Sequence, residues 1–258
     1  MLPKKSLGQN FLMHAQTAQR IVGAAKLTSE TTVLEIGPGT GMLTRELLAS
    51  AGKVFAVEAD YELIPVLTET FAPEIASGRL VLIGADIREF SADILPIGYA
   101  LVANIPYYIT GEIVRKFLTE SNKPTSMTLL VQKEVAVRIA RDPKESILSV
   151  SVKVFGTPVY CFTVPRGAFR PAPNVDSAVL SISGIRRDTF SNHQEEEHFF
   201  SVLKAGFSQK RKRLAKNLEQ VSTKSRIEAA FLSLTLSTNI RAEQVPTPTW
   251  RELARLLS

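Results

Sequence analysis

TTVLEIGPGTG, residues 31–41, runs from an apolar, β-branched stretch into three glycines at alternate positions, and MLTRELLASA follows at once with apolar residues at helical spacing. A strand, a glycine turn and a helix in immediate succession form the opening of a βαβ unit. The rhythm then repeats. KVFAVE (53–58) precedes the amphipathic YELIPVLTETF, RLVLIGAD (79–86) is a third apolar run, and ALVAN (100–104) leads through ITGEIVRKFLTE to MTLLVQ (127–132). Short, near-continuous apolar strands alternating with helices predict a doubly wound α/β domain whose mostly parallel sheet is covered on both faces.

After Gln132 the pattern changes. LSVSVKVF (148–155), VYCFTV (159–164) and SAVLSIS (177–183) read as β runs joined by tight turns, so the sheet is expected to end in antiparallel strands. Past Gly184 the β signal stops. EEEHFFSVLKAGFSQKRKRLAKNLEQ carries helical periodicity, and TPTWRELARLL places Thr249 three residues before Glu252 in a capping-box pattern. The division predicted is a catalytic α/β domain over 1–185 and a small all-helical domain over 186–258.

With 258 residues, 45% of them hydrophobic, the chain can bury a sizeable core. Its one cysteine, Cys161, allows no internal disulfide, and no leader or run of about 18 apolar residues is present, so a reducing cytoplasmic setting without a membrane span is expected. The net charge of +6 is uneven: residues 1–185 hold 18 Lys and Arg against 17 Asp and Glu, residues 186–258 hold 13 against 8. A basic C-terminal quarter suits a polyanion such as nucleic acid, or equally a solvated helix face.

The glycines do not make a dinucleotide fingerprint: G-x-G-x-x-G started at Gly37 ends on Met42, and started at Gly39 ends on Thr44. An acid on the strand, Glu35, ahead of alternating glycines suits a cofactor without a pyrophosphate. Glu58 ends the next strand where an acid grips ribose hydroxyls, and Asp86 and Asn104 end two more. Ligands of open α/β sheets bind beyond these carboxyl ends, so Gly37, Gly39, Glu58, Asp86 and Asn104 are expected to line one crevice for an adenosine-bearing cofactor, with Asp86 near the adenine amine. Taken singly, each acid could be a helix N-cap.

Asn104-Ile105-Pro106-Tyr107 then suggests the chemistry. The exocyclic amine of a nucleobase is a poor nucleophile because its lone pair is delocalised into the ring. An Asn oxygen and a nearby backbone carbonyl, accepting its two N–H bonds, would make the nitrogen more tetrahedral and free that pair. Pro106 restrains Ile105 and its own φ, and Tyr107 offers a stacking face worth about 1–3 kcal/mol. A proline-terminated strand with a buried tyrosine is the plainer alternative.

Together these residues resemble the S-adenosylmethionine-dependent rRNA adenine N6,N6-dimethyltransferases that modify two adjacent adenines near the 3′ end of small-subunit rRNA. The likeness runs from Lys4 to Lys216 through SLGQNFL (6–12), EIGPGTG, Glu58, Asp86, NIPY, QKEVAVRI (132–139) and FRPAPNVDS (169–177). It implies a Rossmann-like methyltransferase sheet, S-adenosylmethionine as cofactor, and an assembling small subunit as partner of a monomer. It further implies that Gln9, Asn10 and Leu12 close over the cofactor and that Phe169 forms the second wall of the base pocket. Lys210, Arg211, Lys212 and Arg213 would grip rRNA, with Lys4 and Lys5 adding contacts. The large-subunit sister activity that confers antibiotic resistance, and a non-catalytic nucleic-acid-binding relative, are the rivals. Two departures stand out: His14 replaces an Asp that caps a helix, and Glu145-Ser146 replaces Tyr-Gly. Cys161 is expected in a buried strand and Trp250 in a core. His193 and His198 fall on different sides of a helix, so no metal is assigned.

Overall fold

The computed structural model describes Lys4 and residues 8–258; Lys5 lies outside them. Strands among these residues are β1 (Phe11–Leu12), β2 (Thr32–Ile36), β3 (Lys53–Glu58), β4 (Leu80–Gly84), β5 (Ala100–Asn104), β6 (Ser126–Gln132), β7 (Thr157–Val164), β8 (Phe169–Arg170) and β9 (Ser177–Ser183). Seven form one sheet in the order β4-β3-β2-β5-β6-β9-β7. β2 to β6 are parallel, and β9 runs antiparallel between β6 and β7. Val33, Leu34, Leu101, Val102, Leu129 and Leu130 are wholly buried, which is why these strands read as continuous apolar runs.

Crossovers supply the cover: α1 (Ala15–Ala25) and α2 (Met42–Ser50) pack together, followed by α3 (Leu63–Thr70), α4 (Ala72–Ala76) and α5 (Thr110–Thr119). His14 is the N-cap of α1 and its side chain makes no capping hydrogen bond. The chain steps outward from β2 through β3 to β4, then returns to β5 on the other flank of β2. This reversal puts the topological switch point between the carboxyl ends of β2 and β5, where open α/β sheets bind ligands. β1 and β8 form a separate two-stranded ribbon, with Leu12 opposite Phe169 and Phe11 opposite Arg170.

Two compact units divide the chain, one up to Ala136 plus Thr157–Ile185, the other Val137–Gly156 plus Arg186–Ser258. Residues 137–156 thus leave the expected first domain. α6 (Lys133–Ala140) straddles the boundary. LSVSVKVF is no strand: Ile147–Phe155 form helix α7. Ser146 caps it, its hydroxyl accepting the Ser149 N–H at 3.1 Å while the Ser149 hydroxyl accepts the Ser146 N–H at 2.7 Å. The Ser/Val alternation misleads because Ser149 and Ser151 are themselves buried. Ser151 donates to the Ile147 carbonyl at 2.7 Å and Ser149 to the Glu145 carboxylate at 2.6 Å, so polar positions satisfied within the helix mimic a period of two.

The second unit continues with α8 (His193–Gly206), α9 (Leu214–Leu218), α10 (Lys224–Ser233) and α11 (Thr247–Leu256). α11 starts before the expected cap at Thr249: Pro246 is its N-cap, and the Thr247 hydroxyl donates to Glu145 at 3.2 Å. Trp250 is wholly buried against Gly206, where a Cβ would come within 2.4 Å of the indole, and it stacks on Phe207. Cys161 is half-buried on β7. No helix among the described residues is long and apolar enough to cross a membrane.

Candidate active site

A cavity at the switch point is lined by the N-terminal stretch Gly8–Phe11, the glycine loop, the ends of β3 and β4, and Asn104–Ile109. Gly37, Gly39 and Gly41 all have φ between 60° and 82°, which a side chain would strain. At Gly39 a Cβ would also meet the Phe11 ring at 3.0 Å, so the loop needs glycine for its conformation and for the segment lying on it.

Glu58 is 5% exposed, and its carboxylate is set by two backbone donors: Gly39 N–H at 3.0 Å on Oε2 and Asp60 N–H at 2.9 Å on Oε1. Burial raises its pKa, while these donors pull it down. One such bond to each oxygen leaves acceptor capacity for ligand hydroxyls. Asp86, two residues beyond β4, is differently occupied. Oδ1 accepts from the Arg88 backbone N–H at 2.9 Å and Nε at 3.0 Å; Oδ2 accepts from Nε at 3.0 Å and Nη2 at 2.5 Å. Arg88 thereby holds the Asp86 carboxyl below its ordinary pKa.

Asn104 ends β5 with its amide oriented: Nδ2 donates to the Asn10 carbonyl at 3.0 Å. A carbonyl can only accept, so this bond fixes which end of the amide is nitrogen and leaves Oδ1 as an acceptor for the cavity. Ile105 is buried, and Pro106 holds φ −54° and ψ 129°. The Tyr107 hydroxyl lies 2.5 Å from the Ser177 hydroxyl on β9, which pins the ring; burial raises its phenol pKa. The last serine of FRPAPNVDS therefore serves the tyrosine of NIPY.

A family model described as "Ribosomal RNA adenine dimethylase" matches residues 2–257. The chain belongs to the ribosomal RNA adenine dimethylase family. It is 40% identical to a protein of Dehalococcoides mccartyi named ribosomal RNA small subunit methyltransferase A, over 97% of this chain and 87% of the other. A protein of the same name from Listeria monocytogenes is 39% identical over 83% and 75%. Among solved structures, a dimethyladenosine transferase from Plasmodium falciparum matches with TM-score 0.80 at 25% identity, over 94% of this chain and 95% of its own. The 23S rRNA methyltransferase ErmE matches with 0.76 at 28%, over 96% and 99%.

Within this member of the dimethylase family, the residues implied by resemblance divide. Gln9 and Asn10 line the cavity, but the Gln9 amide is engaged at both ends, donating to Asp60 Oδ2 at 2.9 Å and accepting from the Lys4 backbone N–H at 2.8 Å. Lys4 Nζ adds an ion pair to Asp60 at 2.7 Å and to Glu62 at 3.0 Å. Burial alone would raise the Asp60 carboxyl, but Lys4 and Gln9 outweigh it and lower its pKa. Lys4 is therefore a strap onto the end of β3. Leu12 and Phe169 do not line the cavity; each is 4% exposed in the core of the first unit. Phe169, which the resemblance implies as the second wall of the base pocket, lies opposite Leu12 in the β1–β8 ribbon with its side chain buried. Tyr108 is 64% exposed at the rim, and a Cβ on Gly8 would sit 2.9 Å from its ring.

Ser177 joins the site as the last residue of FRPAPNVDS, and Asp60 and Arg88 join it from outside the motifs. Of these two, only Asp60 carries a local signal, as a second acid two residues after Glu58. Glu35 is wholly buried and outside the cavity lining, with the Thr44 side chain as its polar neighbour. Burial pushes its pKa up to about 8. An acid oriented toward a ligand is thus not what Glu35 is; it sits inside the sheet, opposite Ala56 and Val102.

In the second unit Lys210, Arg211, Lys212 and Arg213 are all exposed between α8 and α9 and, among the described residues, form no ion pair. The loop is nevertheless held: Asn217 Nδ2 donates to the carbonyls of Gly206 at 2.6 Å and Gln209 at 3.1 Å. His198 Nε2 bonds the Ala254 carbonyl at 2.9 Å and His193 faces Glu197 at 3.4 Å, each a local structural contact.

Proposed function

We propose that this protein dimethylates N6 of two adjacent adenosines near the 3′ end of small-subunit rRNA, using S-adenosylmethionine, on an assembling subunit and as a cytoplasmic monomer. The observation that carries this reading is the oriented Asn104 amide: its nitrogen is occupied by the Asn10 carbonyl, so its oxygen is left to accept from an amine. The roughly 40% identity to small-subunit methyltransferases supports the choice of substrate.

S-adenosylmethionine supplies an electrophilic methyl on a sulfonium. The crevice fits such a group, since Glu58 retains acceptor capacity for ribose hydroxyls and the glycine loop exposes backbone without a pyrophosphate fingerprint. Asn104 Oδ1 and the neighbouring Ile105 carbonyl would accept the two N–H bonds of the target amine. Both are neutral, so they reshape the nitrogen without burying a charge. Pro106 stiffens the carbonyl, and Tyr107, pinned through Ser177, stacks on the base. The base must be flipped out to reach them. No strong general base is required, because the nitrogen grows acidic as the methyl arrives; positioning and electrostatics carry the rate. Lys210 to Arg213 would grip rRNA phosphates in the manner of exposed cations on a fixed loop.

The likeness to ErmE favours one rival, methylation of large-subunit rRNA. Labelled S-adenosylmethionine incubated with assembly-stage small subunits, and with naked rRNAs of both sizes, followed by mapping of the modified base, separates the two. Label confined to large-subunit rRNA overturns the proposal.

A further inference from the structure

The contrast between Glu58 and Asp86 leads further, on the reading that the crevice takes an adenosine-bearing cofactor. An ionised carboxylate has about four lone-pair positions. Glu58 spends one per oxygen on Gly39 and Asp60 backbone. Arg88 alone brings three N–H donors to Asp86: its backbone N–H on Oδ1, the single Nε–H shared between the two oxygens, and Nη2 on Oδ2. Both Asp86 and Arg88 line the cavity, and Ala85 just before them is tied to the end of β3 by its N–H to the Glu58 carbonyl at 3.0 Å. The carboxylate is thus held at the next strand end from the ribose acceptor, where an adenine amine is expected, with both of its oxygens already engaged by Arg88.

We infer that Arg88 is a built-in competitor for the adenine subsite: its side chain occupies the acceptors on Asp86 that the exocyclic amine of an adenosine ligand needs, so that ligand binding is an exchange of hydrogen-bond partners. The guanidinium can leave because it is exposed, its side chain 52% accessible against 30% for Asp86. It also has somewhere to go. Glu112, in the first turn of α5, and the rim residue Tyr108 lie within electrostatic reach of it. The backbone N–H of Arg88 stays on Oδ1 after the exchange and keeps the carboxylate aimed. The consequence is an affinity set below what the acceptors alone would give, and a selectivity rule: the opposition applies only to ligands that bring an amine to Asp86.

The test uses the intact protein and calorimetric titration with S-adenosylhomocysteine, adenosine, and purine riboside, which lacks the amine. Removing an exposed bidentate competitor through Arg88→Met should tighten S-adenosylhomocysteine and adenosine about threefold to fivefold and leave purine riboside unchanged. Arg88→Lys, which keeps the charge but loses the fork, should fall between and guards against a folding defect in the methionine variant. Unchanged or weaker binding of S-adenosylhomocysteine in both variants overturns the competition, as does an equal gain for purine riboside. If the wild-type chain binds neither S-adenosylhomocysteine nor adenosine, the cofactor reading itself fails and the exchange falls with it.

Discussion

The crevice of the first unit and the basic loop of the second handle charge in opposite ways. Around the cavity nearly every polar group is spoken for: Glu58 by two backbone N–H groups, Asn104 by the Asn10 carbonyl, Gln9 and Lys4 by Asp60, Tyr107 by Ser177. In the loop, Lys210 to Arg213 are exposed, and the Asn217 side chain anchors the backbone just ahead of them, at Gly206 and Gln209. Buried, fixed dipoles act at one distance and one angle, which suits choosing an atom to react. Exposed cations act over a Debye length and adapt, which suits holding a large polyanion. The difference implies that substitutions in the crevice should move rate and stability, and substitutions in the loop should move affinity and its salt dependence.

The largest effect expected is on stability. Glu35 is held neutral in the folded chain below about pH 8 but ionises from about 4.5 when unfolded. Between those values the folded state binds more protons, so stability declines as pH rises, by at most about 1.4 kcal/mol per unit, and levels off above 8. Denaturant midpoints of Glu35→Gln against pH should lack that decline; an identical decline would mean Glu35 is not the group responsible. Next, Asn104→Ala should slow methylation by about two orders of magnitude while rRNA binding persists, measured as single-turnover rate beside filter binding. Equal loss of both would erase the contrast between the two regions.

Neutralising Lys210 to Arg213 should weaken rRNA binding about tenfold near physiological salt and reduce the log–log salt slope by roughly 0.9 for each phosphate no longer gripped, with turnover at saturating RNA preserved. An unaltered slope would make the loop a solvated surface. The smallest change is Ser177→Ala. Losing one buried hydrogen bond, worth about 1 kcal/mol, should release the Tyr107 ring and lower methylation about fivefold without altering S-adenosylhomocysteine binding. A matching loss of cofactor affinity would show that Ser177 supports the whole crevice and not the base platform.

Much of the first unit is legible in the order of residues. Apolar runs of strand length give β2 to β6 and their carboxyl ends, and from these the meeting of Gly37, Glu58, Asp86 and Asn104 follows. The helix α7 is not legible, because serines that satisfy themselves within a helix are indistinguishable in sequence from the outward face of a strand. The burial of Phe169 opposite Leu12 is not legible either: an aromatic beside two prolines says nothing about which side of a ribbon it faces. Arg88 gives no sign, since a cation two residues after an acid is commonplace on a surface.

What the chain's sequence determined by itself is therefore the scaffold and the kinds of group at its edge, because strand periodicity and parallel crossovers are local, regular rules. Which groups are occupied and which are left to act was decided only in three dimensions. The Asn10–Asn104 bond joins residues 94 apart and the Tyr107–Ser177 bond residues 70 apart. Both depend on contacts made when distant strands meet: the β1–β8 ribbon lays Asn10 across the crevice, and β9 pairing with β6 brings Ser177 beside it. Hydrogen-bond satisfaction is a property of neighbours in space, and no spacing along the chain encodes it.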